Sequence, residues 1–252
     1  SNVTIEDSVT DGIVVKNTAS NVRIENSTIK RSGDDGIQLE SNVYLYNNTI
    51  SSNTNRGIYV ISGSDYAKIR YNTIDDNDEQ GVYVFGVHHV EIRNNVIEDN
   101  ENYGIQLKDA NYTQISDNTV DDNDGGLRTE STYNCNITGS TFKNNNGKGI
   151  WFTTTSNGNN IRDTVATGSS SNDIELDDSK KNTGFNFTFG SGSIDVDSDS
   201  DFRVMNTLNI KFTNGSEAFA GVDLELFNYD TIVYATPFYS GNDAVSSATG
   251  FI

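Results

Sequence analysis

The 252-residue sequence has one proline, one cysteine, one methionine and one tryptophan, and only 17 basic residues against 36 acidic ones. Each scarcity excludes something. A lone cysteine, Cys135, allows no internal disulfide, so the chain is no disulfide-stapled scaffold and cysteine usage does not reveal the redox compartment. A formal charge of −19 makes nucleic acid and anionic membrane surfaces poor partners. No apolar run approaches the roughly 18 to 20 residues that a membrane span needs. The hydrophobic fraction is low at 34%, yet 12 Tyr and 12 Phe argue against disorder. The chain opens on Ser1-Asn2-Val3-Thr4, without Met or a signal peptide and already inside a pattern, which reads as a mature or excised fragment.

Asparagine, by contrast, is abundant, with 34 copies. Seven lie in Asn-x-Ser/Thr sequons, namely Asn2, Asn26, Asn47, Asn111, Asn136, Asn186 and Asn214. Sequons and acidity together point to an extracellular or cell-surface glycoprotein; a halophilic cytoplasm is the other reading of the charge.

Internal periodicity decides the fold. A column of small residues recurs at Gly12, Gly36, Gly57, Gly81, Gly104, Gly126, Gly149 and Asp173, at intervals of 21 to 24 residues. Beside it run Ile13, Ile37, Ile58, Val82, Ile105, Leu127, Ile150 and Ile174, and two residues further on Val15, Leu39, Val60, Val84, Leu107, Thr129, Phe152 and Leu176. Apolar residues at i and i+2 make a half-buried strand. A second alternation lies upstream (Val3 and Ile5, Val22 and Ile24, Val43 and Leu45, Val90 and Ile92), and a third short strand holds Ile29, Ile50, Ile74, Ile97, Val120 and Phe142. Three short strands per repeat, parted by Asn/Asp/Gly corners, predict one coil of an all-β, right-handed parallel β-helix of about eight to nine coils. A further column, Ser27, Asn48, Asn72, Asn95, Asn118 and Ser140, is expected to form an inward hydrogen-bonding ladder at one corner. Val3 and Ile5 already belong to a coil, so that end is expected to meet further repeats or another molecule.

The Asn-Asn-Thr-Ile…Gly-Ile-x-Val coil, seen in Asn47 to Val60, resembles the right-handed parallel β-helix repeats of pectate-lyase-like proteins and of NosD-like periplasmic and archaeal surface proteins. The resemblance covers residues 1–198 and implies a solenoid. For function it implies either a carbohydrate-active enzyme or a non-enzymatic prokaryotic surface protein. Residues 199–252 read instead as a separate β-strand module, with strands at Leu208–Phe212, Val222–Leu226 and Ile232–Tyr234 around a turn at Asn214-Gly215. This module resembles an incomplete Ig-like or transthyretin-like sandwich that caps the helix or exchanges a strand with a partner.

The outward residue of the Gly-Ile-x-Val strand defines a stripe of Gln38, Tyr59, Tyr83, Gln106, Arg128, Trp151 and Glu175, preceded by Val14. Aromatic faces and hydrogen-bonding side chains spaced one coil apart suit an extended glycan or a protein contact, and equally the ordinary preference of aromatics for exposed strands. No carboxylate pair on the stripe has the spacing of a glycosidase, so no catalytic residue is assigned. The only histidines, His88 and His89, read as surface residues at a strand start. Two His, one Met and one Cys do not make a copper site. Acidic corners at Asp75, Asp76 and Asp78, at Glu98 and Asp99, and at Asp121, Asp122 and Asp124 stack on successive coils and offer hard oxygens for calcium, or else splay into water. The sequence thus predicts a non-catalytic, self-associating structural or adhesive surface protein needing no cofactor, with a carbohydrate-active β-helix (polysaccharide lyase, epimerase or glycoside hydrolase) or glycan-binding module as its alternative.

Overall fold

The computed structural model describes residues 2–190 and 194–205, together with the short strands Thr213–Asn214, Glu217–Ala218, Glu225–Asn228 and Thr231–Ala235. The unit Ser1–Asn206 consists of three nine-stranded parallel sheets, in which every strand pairs with its equivalent one coil away. We call them sheet A (beginning Thr4–Glu6), sheet B (beginning Ile13–Val15) and sheet C (beginning Val22–Glu25). The result is the right-handed parallel β-solenoid expected from the periodicity. Among the described residues there is no helix long and apolar enough to cross a membrane.

Rungs are two to six residues long, so the two-residue side-chain period decides what each face shows. In sheet A the central residue points inward, and Ile29, Ile50, Ile74, Ile97, Val120 and Phe142 stack in register with no exposure; Ile5 pairs with Ile29 and so belongs to this column, not to the Val22 and Ile24 alternation expected for it. In sheet B the outer two of each triplet point inward and the middle one faces out, as in Ile58-Tyr59-Val60. Stacking identical aliphatic side chains at the strand spacing of about 4.8 Å leaves few voids, which is where the hydrophobic stabilisation arises.

The corners turn on residues of left-handed backbone, which Asn and Asp tolerate better than most residues. Asn47 (φ 53°) and Asn94 (φ 54°) do this between sheets C and A. The following residue points inward and joins the expected ladder. Asn95 Oδ1 accepts from Asn72 N (2.9 Å) and Nδ2 (3.0 Å), and Asn95 Nδ2 donates to Ile69 O (2.9 Å) and Asn118 Oδ1 (3.0 Å). A second ladder, not singled out in the sequence, runs through Ser32, Asn53, Asn77, Asn100, Asn123 and Asn145 at the corner after sheet A. A third passes through Thr113, Cys135, Asn159 and Asn182, with the Cys135 sulfur accepting from Thr113 N at 3.3 Å.

The glycine column has a steric cause. A Cβ on Gly81 would lie 2.6 Å from Ile97 Cγ2 and 2.8 Å from the Gly104 carbonyl, so coils close up only if this position is bare. Asp173 ends the column and uses its side chain instead, accepting from Ser169 N (3.0 Å) and Gly190 N (2.8 Å). Phe187, Phe189 and Phe202 pack together over the last coils, where Phe187 replaces a polar ladder residue.

Phe202–Met205 still pairs with Asn182–Phe185 in sheet C, so the final rung lies beyond residue 198, where the apolar alternation has become too weak to read. The second unit, Thr207–Ile252, contains two antiparallel pairs, Thr213–Asn214 with Glu217–Ala218 and Glu225–Asn228 with Thr231–Ala235. The last of these contains the expected strand Ile232–Tyr234. The expected strand Leu208–Phe212, and Val222–Leu224, lie outside the described residues.

Candidate functional site

The structure brings the predicted stripe together in register. Val14, Gln38, Tyr59, Tyr83, Gln106, Arg128, Trp151 and Glu175 are consecutive cross-strand partners on the outer face of sheet B. Tyr59 and Tyr83 stack with ring centroids 5.4 Å apart and 14° between planes, and Phe85 extends the stack at 6.1 Å. Trp151 lies under two cations, with Lys148 Nζ 3.4 Å and Arg128 Cζ 4.8 Å from its ring, and donates its Nε1–H to Asp177 Oδ2 at 2.9 Å. Gln106 differs from expectation. It faces outward but is only 6% exposed, because Gln80 Nε2 donates to its Oε1 at 2.9 Å and neighbouring side chains cover it.

A second column lies on the residue before each glycine of the column: Asp11, Asp35, Arg56, Gln80, Tyr103, Gly125 and Lys148. Sequence reasoning passed over it because these residues share no chemistry; their fixed offset from the glycine column was the available signal. The Tyr103 ring lies across Gly125, where any side chain would strike it, and comes within 6.3 Å of Trp151. Burial pushes the Tyr83 and Tyr103 hydroxyls further up, so both remain protonated donors. Two carboxylates of this face are held by cations, Glu130 by Lys108 (2.6 Å) and Arg128 (3.6 Å), and Glu175 by Lys148 (2.5 Å), whereas Asp177 takes the indole N–H of Trp151 and Asp195, the next register partner of Glu175, makes no ion pair among the described residues. The face is thus an aromatic platform with cations set among its rings, on a molecule of charge −19.

At its lower-numbered end, the oxygens of Asp11, Asp34 and Asp35 all lie within 4.8 Å of one another, the one such trio among the described residues. Asp35 is 2% exposed; it accepts from Arg56 N at 3.1 Å, and the Arg56 guanidinium stands 3.6 Å away. Burial pushes the Asp35 carboxyl up to about 6 against the pull of Arg56. Arg56 already supplies the positive charge beside this trio.

The predicted acidic corners are spread differently. Asp75, Glu98 and Asp121 are register neighbours on the outside of sheet A, followed by Lys143, which pairs with Asp121 at 2.7 Å. Burial, then Glu98, Asp76 and Asp99, raise the Asp75 pKa. Asp76, Asp99 and Asp122 are the left-handed corner residues (φ 56°, 55° and 52°), which gives acids there a backbone reason. Asp99, Asp122 and Asp124 border an open depression with Glu101, and Asp78 lies on the preceding coil's corner. Of the sequon asparagines, Asn2, Asn26, Asn47 and Asn186 are exposed, and Asn111 and Asn136 are half-buried. Asn214 lies in the strand Thr213–Asn214 of the second unit. His89 is an exposed corner residue stacked between Tyr66 (4.8 Å) and Tyr112 (5.0 Å), and His88 Nδ1 accepts from Asn111 N.

The sequence matches the right handed beta helix region family over residues 1–127 and 63–201, and the chain belongs to that family. No curated protein matches it by sequence. Among solved structures it is similar to tailspike protein 2 of an Escherichia coli O157:H7 bacteriophage, with a TM-score of 0.72 and 12% identity over 83% of this chain and 35% of that one. It is also similar to the Agl-KA catalytic domain (TM-score 0.67, 17% identity, 77% and 45% covered) and to an alginate lyase from a Paenibacillus species (0.52, 15%, 81% and 75%). At these identities the likeness is one of fold. The chain spans about a third of the tailspike's length.

Proposed function

We propose that the protein is a carbohydrate-binding β-helix of the cell surface, which lays an extended polysaccharide along the outer face of sheet B and holds it without cleaving it. The observation that carries this reading is the in-register series Tyr59, Tyr83 and Trp151, flanked by Arg56, Tyr103, Arg128 and Lys148. Tyr59 and Tyr83 lie one coil apart with Trp151 three coils further on, a linear aromatic series that suits a polymer with recurring pyranose rings, and the cations among them reach hydroxyl or carboxylate groups. Engagement of Glu130 and Glu175 by Lys108, Arg128 and Lys148 favours retention over general acid–base work, because it commits both carboxylates to cations. The alginate lyase among the similar structures acts on a polysaccharide, which is in keeping with a saccharide ligand here.

Affinity electrophoresis through gels cast with a panel of neutral and acidic polysaccharides tests the reading. Retardation by at least one polymer is expected, weakened about tenfold by Tyr83→Ala and by Trp151→Ala with unchanged circular dichroism. Equal mobility in every gel would overturn the binding proposal. New reducing or unsaturated ends in the bound polymer would overturn retention and make the protein an enzyme.

A further inference from the structure

Sheet C bears a separate concavity. Its first outward column runs Arg23, Tyr44, Lys68 and Glu91 in register, and the next runs Glu25, Tyr46, Arg70 and Arg93. Across these rungs lies a groove of about 500 Å³ lined by Arg23, Tyr44, Tyr66, Lys68 and Arg70, with Asn21 and Asn42 at its margin. In a chain with more than twice as many acids as bases, the groove lining includes three cations and no carboxylate.

The groups in the groove are arranged for a ligand with both a face and a negative charge. The Arg23 guanidinium stands 4.6 Å, and that of Arg70 5.7 Å, from the centroid of the Tyr44 ring. Tyr46 continues the aromatic surface at 5.7 Å from Tyr44. Arg23 and Arg70 are partly neutralised by Glu25 and Glu91 on the flanks. Lys68 is exposed and makes no ion pair among the described residues, and Arg70 Nε is buried without an acceptor. Tyr66, at the rim, is 60% exposed and keeps a left-handed backbone (φ 70°), a conformation unfavourable for a bulky residue.

We infer that this groove is a second binding site, for a short acidic saccharide whose ring packs on Tyr44 and whose carboxylate is taken by Lys68 and Arg70. The amides of Asn21 and Asn42 are placed for hydroxyl groups. The charge distribution limits the ligand's length. Beyond the groove a polyanion would run over a molecule of charge −19, so one to a few charged units gain the cations without meeting that repulsion. The site is on a different sheet from the stripe and does not depend on it.

Titration calorimetry of the full chain with uronate trimers (mannuronate, guluronate and galacturonate), a neutral hexose trimer and a poly-aspartate peptide tests this. At least one uronate trimer is expected to bind, with affinity falling as salt rises, and the neutral trimer to bind at least tenfold more weakly. Lys68→Ala should weaken uronate binding about tenfold and Lys68→Glu abolish it, with thermal midpoints unchanged because the side chain is exposed and unpaired. Trp151→Ala, on the other face, should leave it unaltered, so this test and that of the stripe fail independently. No uronate binding, or binding indifferent to both Lys68 substitutions, would overturn the inference. Tighter binding of poly-aspartate than of any saccharide would also overturn it, since the groove would then accept an acidic protein segment.

Discussion

The guanidinium of Arg56 lies 3.8 Å from the centroid of the Tyr59 ring and its Nη1 lies 3.6 Å from the carboxylate of Asp35, so a buried acid supports the first aromatic of the platform through one arginine. Asp35 titrates at about 6 in the folded protein against a usual 3.8, with Arg56, Asp34 and Asp11 as its charged neighbours. The folded state thus holds a proton that the unfolded chain has released. Between about pH 4 and about pH 6 this group's contribution falls as pH rises, and the loss, up to about 3 kcal/mol, is complete above the folded value. Urea midpoints of the parent and Asp35→Asn should differ by an amount that changes across that window and is flat above it. Parallel curves would show that Asp35 does not titrate there.

The Asn ladder should be costly to interrupt. Asn95→Ala removes the acceptor used by Asn72 N and Nδ2 and the donor to Ile69 O and Asn118 Oδ1, leaving buried polar groups unpaired. A loss of about 2–4 kcal/mol is expected from denaturant unfolding. A loss below about 0.5 kcal/mol would mean that water replaces the side chain.

Two glycines should differ in their response to size. At Gly81 a methyl would press on Ile97 and the Gly104 carbonyl, so Gly81→Ala should cost about 1–3 kcal/mol. Gly86 has nothing within 4 Å of a Cβ, and its φ of +66° is the only obstacle. Gly86→Asn, which tolerates that backbone, should change stability by less than about 0.5 kcal/mol. Thermal unfolding of the two variants compares them directly.

Cys135 should be chemically silent. It is fully buried and its thiol is pushed up to about 12, so almost no thiolate exists near neutrality. Labelling by an aromatic disulfide reagent is expected to follow the rate of unfolding and to be unaffected by raising reagent concentration. Fast, concentration-dependent labelling would place the sulfur at the surface.

The sequence reveals whatever recurs with a single chemistry. The glycine column, the aliphatic columns and the Ser27 to Ser140 ladder each repeat one kind of residue at one offset, and the stripe follows from them because alternate strand residues must face out. The Asp35, Arg56, Tyr103 and Lys148 column was illegible because each member has a different partner about one coil away, and no local pattern announces pairs so distant in sequence. The Asn53 to Asn145 ladder also repeats one residue at one offset and was open to the same reading, but acids precede it at three of its corners. Its corner residues include Asp76, Asp99 and Asp122, whose charge suggested a ligand set, whereas the left-handed backbone there is a requirement that acids meet.

Because every rung pairs only with the rungs before and after it, and both faces of a coil present the same glycines, asparagines and aliphatics, one coil can be removed or duplicated and the remainder will still fit. Such a change alters the length of the platform by a single step of about 4.8 Å and removes or repeats the one outward residue that the coil contributes. On the polysaccharide-binding reading proposed above, the solenoid would be a ruler, on which the number of repeats sets how much of the polymer can be held at once.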